Sequence, residues 1–130
     1  MPTLTLWRPW AALIVHGYKT VEYRSHDKYR WLVGKIMAIH SGRKLDPEIG
    51  TIRAEQYNVD WKKLPDYAGL IVGTAQVVEC EPVVGGYAYR LEKIKRLLRP
   101  MPARGSQGVW SWIMPEGLEF TAVDVVASVT

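Results

Sequence analysis

A chain of 130 residues, 48% hydrophobic and 23% charged, has the size and composition of one globular domain, which excludes disorder, a fibrous repeat and two domains of usual size. Seventeen Lys and Arg against thirteen Asp and Glu leave a formal charge of +4, a mild bias that favours approach to a polyanion without requiring one. Cys80 is the only cysteine, which excludes an intramolecular disulfide and a Cys-cluster zinc site, and beside Val77 and Val78 it reads as a small buried strand residue.

The opening residues, MPTLTLWRPW, lack the basic stretch, apolar run and cleavage site of a secretory signal, and no 18-residue apolar stretch occurs; the expected place is the cytoplasm, with no membrane contact. Thr3 to Leu6 reads as a short strand, and Arg8-Pro9-Trp10 opens a helix with proline in its tolerated first turn. Ala11, Ile14 and Val15 form the apolar stripe of that helix, and Gly17 is its expected C-terminal cap. Thr20 to Arg24 alternates, placing Thr20, Glu22 and Arg24 on one face of an extended segment and Val21 and Tyr23 on the other.

Gly34 to His40 reads as a mostly buried strand, because Ile36 to Ile39 run without polar interruption. Ser41 through Pro65 is turn-rich and reads as an internal excursion, within which Asp46-Pro47 can start a helix through about Tyr57. Leu70 to Glu81 is the clearest long strand, closed by Pro82 and followed by a Gly85-Gly86 turn. Tyr87 to Leu98 begins as a hairpin partner, while Leu91, Ile94 and Leu98 fall at helical spacing, so its end stays open. Pro100, Pro102 and Gly105 argue against regular structure in the next stretch, and Gly108 to Met114 and Phe120 to Val129 have the content of strands. The fold class expected is α+β, mainly β: one domain over residues 1–130, a small closed or partly closed barrel with a short N-terminal helix and one or two further helices.

The densest group of polar candidates lies just past the first helix, in Gly17-Tyr18-Lys19-Thr20-Val21-Glu22-Tyr23-Arg24. Lys19 supplies a point charge, Arg24 a planar fork suited to phosphate, and Glu22 an acceptor for amino protons of a base edge. Strand parity brings Glu22 and Arg24 to one face with Lys19 just before them, so all three can meet over one cleft; the plainer reading is an ion pair at a barrel mouth. Trp10 and Trp110 are candidate stacking platforms or core residues, and Trp7, Trp31, Trp61 and Trp112 read as core or rim. His40, ending an apolar strand, reads as a hydrogen-bonded structural residue or a site residue. His16 and His26 complete no metal-ligand spacing, so no metal and no cofactor are expected. Arg90, Lys93, Lys95, Arg96, Arg99 and Arg104 form the strongest basic concentration, either a phosphate track or a solvated face.

The run from Gly17 to Arg24 resembles the GxKxxExR signature of ASCH domains, relatives of the PUA RNA-binding barrel. Three further blocks match in order: Arg8-Pro9-Trp10-Ala11, Ala38-Ile39-His40-Ser41, and Pro100-Met101-Pro102 leading through Arg104, Gly105 and Gly108 to Trp110. The resemblance covers at least Leu4 to Trp110, leaving chiefly Leu45 to Asp66 without a counterpart. It implies a PUA-like barrel that binds RNA or a nucleotide-containing small molecule, with Arg8, Trp10, Lys19, Thr20, Glu22, Arg24, His40, Ser41, Arg104 and Trp110 as the expected ligand-binding set. The alternative it implies is a small hydrolase, either a ribonuclease or an N4-acetylcytidine-type amidohydrolase. Lys19 matches the amidohydrolase lysine, but Glu22 stands where that chemistry places a threonine nucleophile; Thr20 is the nearest hydroxyl, and Glu79 or Glu81 would stand for the downstream acid. In an enzyme, Lys19 and Glu22 are the expected working pair.

Overall fold

The computed structural model describes residues 1–48, 57 and 59–126. Its frame is one curled, half-barrel sheet of seven strands. In chain order these are β1 (Pro2–Arg8), β2 (Val21–Arg24), β3 (Ile36–Leu45), β4 (Leu70–Val83), β5 (Gly86–Pro102), β6 (Val109–Ser111) and β7 (Phe120–Ala122). The spatial order is β2-β5-β4-β3-β1-β6, with β7 also pairing β5. A six-residue helix, α1 (Trp10–Val15), and two 3-10 turns, Arg30–Leu32 and Trp61–Lys63, complete the elements among the described residues. The expected mainly-β class with a short N-terminal helix is therefore the one found.

The expected helix stripe of Ala11, Ile14 and Val15 is wider in the fold, since all five residues from Ala11 to Val15 are buried. The helix is a plug in the curl of the sheet: Ala11, Ile14 and Val15 share a core with Leu4, Leu6, Met37, Ile39, Val72, Val77, Leu91 and Ile94. A second, smaller core of Ala38, Ile71 and Leu97 lies under Trp110, Trp112 and Phe120. Among the described residues no helix is long and apolar enough to cross a membrane.

Several strands run farther than their sequence signals: β1 spans Pro2–Arg8, β4 passes through Pro82 to Val83, and β3 and β5 extend the most. β3 continues to Leu45 because it pairs in parallel with β1, with Arg8 opposite Leu45. β5 continues through Pro100 to Pro102 as part of the sheet, against expectation. The register with β4 jumps from Ile71↔Met101 to Gly73↔Arg96, so Pro100 falls in a stretch that leaves the ladder, where a missing N–H costs nothing. Leu91, Ile94 and Leu97 face the core although they are three apart, because Lys93 takes a positive φ of 49° and a bulge resets the alternation. The helical spacing at Leu98 is incidental, since Leu98 is exposed.

The helix expected from Asp46 to Tyr57 lies mostly outside the described residues. Its expected N-cap, Asp46, accepts the Glu48 N–H at 2.9 Å. Cys80 is buried in β4, as expected.

Candidate functional site

The path to the site begins at the end of α1. Gly17, at φ +86°, lets the chain reverse, and the N–H groups of Tyr18 and Lys19 both donate to the Leu13 carbonyl at 2.9 and 3.1 Å. A side chain at Gly17 would strike the Asp124 carbonyl, and the Gly17 carbonyl itself accepts the Val126 N–H at 2.8 Å. The first glycine of the motif is thus fixed both by its backbone angle and by the chain that crosses it. The reversal delivers Lys19 to the mouth of β2.

Glu22 occupies the centre of the resulting cluster. Lys19 Nζ lies 3.5 Å from Glu22 Oε1, and Arg24 Nη2 donates to Glu22 Oε2 at 3.1 Å, so each carboxylate oxygen faces one cation. The Lys19 side chain is only 5% exposed and that of Glu22 11%, whereas Arg24 reaches 27%. The Lys19 ammonium is boxed by three aromatic rings, those of Trp10 at 4.9 Å, Tyr23 at 5.3 Å and Tyr57 at 5.9 Å. Cation–π attraction of this kind helps hold the ammonium in place. Trp10 is fixed in turn by its indole N–H, which donates to Asp46 Oδ2 at 2.7 Å.

Lys19, Glu22 and Arg24 all open onto one cavity of about 640 Å³. Its walls are aromatic, with Trp7, Trp10, Tyr23, Tyr57 and Tyr87, and the Val83–Gly86 turn closes one side. Its formal charges balance, Lys19 and Arg24 against Glu22 and Asp46. A second cavity, of about 990 Å³, adjoins it, and Thr5, Trp7 and Arg24 line both. Arg24, Arg43, Lys44 and Arg104 line this second space, with no carboxylate among its described lining residues.

His40 is buried at 2% exposure against this second cavity. Its Nε2 is 2.8 Å from the Ala103 carbonyl, which only accepts, so Nε2 carries the proton. Nδ1 then accepts from the Thr5 hydroxyl at 3.1 Å, and that oxygen accepts the Trp110 indole N–H at 2.8 Å. Every donor in the chain finds an acceptor with the imidazole neutral. Burial lowers the His40 pKa, and its backbone hydrogen bonds offset this only in part. Gly105 seals the arrangement: a Cβ there would lie 2.5 Å from His40 Cε1 and 2.9 Å from Thr5 Oγ1.

Of the ten residues expected to bind ligand, Trp10, Lys19, Glu22 and Arg24 meet in the aromatic cavity, and His40 and Arg104 join Arg24 in the second. Four line neither. Arg8 instead binds the Arg43 carbonyl at 3.0 Å and Asp66 at 3.2 Å. Thr20 gives its carbonyl to the Leu91 N–H at 2.8 Å. Ser41 is buried in β3, and Trp110 stands edge-on to His40 with its N–H on Thr5, a packing role. Glu79 and Glu81, considered as downstream acids, both pair with Arg90 at the surface and line neither cavity. Of the basic series Arg104 lines one of these two cavities and the others line neither.

Sequence reasoning passed over Trp7, Tyr23, Tyr57, Tyr87, Asp46, Arg43 and Lys44. Trp7 had a signal: it shares strand parity with Thr5 against the buried Leu4 and Leu6. Tyr23, by parity alone, belongs to the opposite face from Glu22, yet it lines the cavity from the end of a short strand, 57% exposed. Arg43 and Lys44 carried no signal, lying in a stretch read as turn.

Comparison with known proteins gives the following. A family model described as ASCH domain matches residues 4–122. A crystal structure of an ASCH protein from Zymomonas mobilis is similar in fold, with a TM-score of 0.51 at 16% identity over 88% of each chain. No curated protein matches.

Proposed function

The chain belongs to the ASCH domain family, and on that premise we propose that it binds RNA or a nucleotide-containing ligand, with a base seated in the aromatic cavity around Lys19, Glu22 and Arg24. The observation that carries this reading is the convergence of those three side chains into one cavity of about 640 Å³ with five aromatic walls. That volume falls in the usual range for small-ligand sites, about 300–1,000 Å³. An unstacked base needs an aromatic face and donors and acceptors at its edge, and this cavity offers both. Each Glu22 oxygen keeps a lone pair beyond the one facing its cation, so the carboxylate can still accept from an exocyclic amine. Arg24 Nε, buried with no partner among the described residues, is a donor still to be satisfied.

The geometry favours binding over hydrolysis. Glu22, the residue expected to handle the proton in a hydrolase, is engaged by two cations, an arrangement that suits holding a ligand edge. Thr20 lines neither cavity, and Glu79 and Glu81, considered for the downstream acid, are engaged with Arg90 and line neither cavity as well.

The test is a tryptophan-fluorescence titration with nucleosides, nucleotides and a short single-stranded RNA. Saturable binding is expected, weakened roughly tenfold or more in Lys19→Met, a loss of about 1.4 kcal/mol. Equal affinity in the folded variant, or no binding by any of these ligands, overturns the reading. Acetate release from N4-acetylcytidine or RNA shortening that disappears in Glu22→Gln would replace it with the hydrolase.

A further inference from the structure

The two adjoining cavities divide their chemistry. The aromatic one carries two cations and two carboxylates; the other carries Arg24, Arg43, Lys44 and Arg104 with no acid among its described lining residues. A space lined by one sign of charge raises the local concentration of the opposite ion. Resting on the nucleotide reading above, we propose that the second cavity is a phosphate subsite, holding the phosphate attached to the nucleoside whose base occupies the aromatic cavity. The ligand class is then a phosphorylated nucleotide or a single strand, and a free nucleoside fills only half of the site.

Three features support this. The first is how the cations arrive. β1 and β3 lose register between Leu6↔Ser41 and Arg8↔Leu45, so Gly42, Arg43 and Lys44 stand opposite Trp7 alone. In a regular strand Arg43 and Lys44 would point to opposite faces; the bulge turns both toward one cavity. The second is that these cations are unspent. Among the described residues Arg43, Lys44 and Arg104 make no ion pair, while Arg90 on the far part of the sheet is neutralised by Glu79 and Glu81. Lys44 rests on the Trp7 ring at 4.0 Å, and a Cβ at Gly69 would lie 3.1 Å from Arg43 Nη2, so both side chains are placed by packing and remain open to an anion. The third is the junction. Arg24 lines both cavities, binds Glu22 with Nη2 and keeps a buried Nε with no partner among the described residues, so one guanidinium spans the step from base edge to phosphate.

Two probes separate this inference from the reading on which it rests: inorganic tripolyphosphate, which has no base, and a nucleoside, which has no phosphate, each measured by calorimetry beside a short single-stranded RNA. Arg43→Glu and Arg104→Glu change exposed side chains, and Lys95→Glu, lining neither cavity, is the control. Tripolyphosphate is expected to bind the wild type and Lys95→Glu and to lose affinity roughly tenfold or more in each cavity variant. The salt slope for RNA is expected to fall by about 0.7 for each phosphate contact removed, with nucleoside affinity unchanged. No tripolyphosphate binding by the wild type, or a salt slope untouched by both reversals, overturns the phosphate subsite. Tripolyphosphate binding that the reversals abolish, with neither nucleoside nor RNA bound, supports the subsite and removes the base reading instead.

Discussion

Trp7 and Trp110 illustrate how residue chemistry divides when two side chains of one type stand near one cleft. Trp7 is 45% exposed, lines both cavities and carries Lys44 on its face. Trp110 lines neither and gives its N–H to Thr5. On the proposed base-binding reading, Trp7→Ala is expected to cost about 1–3 kcal/mol of RNA affinity with little change in unfolding midpoint. Trp110→Ala is expected to lower stability by about 2–4 kcal/mol, because it uncovers the small core that the indole packs against and removes the donor to the Thr5 oxygen. Titration and urea unfolding of both variants check the contrast; a Trp7→Ala protein with full affinity would remove the indole from the site. Gly105 belongs to the same argument. Its replacement by alanine forces the His40 ring aside, and urea unfolding should register a loss of about 1–3 kcal/mol.

Elements differ in how openly the sequence declares them, and the difference has a physical cause. β1, α1 and β4 are legible because an unbroken apolar period covers each of them. The run Gly42-Arg43-Lys44-Leu45 at the end of β3 has no such period, being held by the parallel partner β1 and interrupted by a bulge. The late part of β5 is hidden for the same reason, since bulges convert period two into the three-residue spacing of Leu91, Ile94 and Leu97. The candidate site follows this division. Lys19, Glu22 and Arg24 are legible because they are close in sequence and one turn sets their geometry, whereas Arg43 and Lys44 are assembled by a register shift between strands some thirty-five residues apart. The turn between α1 and β2 is thus the element on which the legible half depends. Gly17→Ala, at φ +86° and against the Asp124 carbonyl, is expected to lower stability by more than about 1 kcal/mol. Because that turn aims Lys19, RNA affinity measured well below the unfolding midpoint should fall as well; an unchanged affinity would detach the cavity from the turn.

At the scale of the whole molecule, two neutral histidines tie the sheet to its surroundings, and both make the fold sensitive to acid. His40 joins β3 to Thr5 of β1 and to Ala103 after β5, beside a cavity whose charges are all positive. His16, at the end of α1, stacks on Tyr67 with rings 5.8 Å apart, and its Nε2 lies 2.8 Å from the Tyr67 hydroxyl. Arg96 of β5 approaches His16 Nδ1 at 3.5 Å; a guanidinium only donates, so Nδ1 accepts and Nε2 carries the proton. Burial lowers both histidine pKa values, and Arg96 lowers that of His16 further. A group whose pKa falls on folding binds fewer protons in the folded chain than in the unfolded one. Its stabilising effect is whole above the unfolded value near 6.5 and is lost as pH drops through the folded value. Protonating His40 also turns Nδ1 into a donor, so the Thr5 hydroxyl that donates to it in the neutral state loses its acceptor and must turn away, while the Nε2–H bond to Ala103 is kept. The urea midpoint is therefore expected to fall steadily from pH 7 to pH 5, above the range where ordinary carboxylates titrate. In His16→Gln/His40→Gln the profile should be flatter, whatever the variant's absolute stability. A double variant with the wild-type slope would place the acid sensitivity on other groups and leave both rings as packing residues.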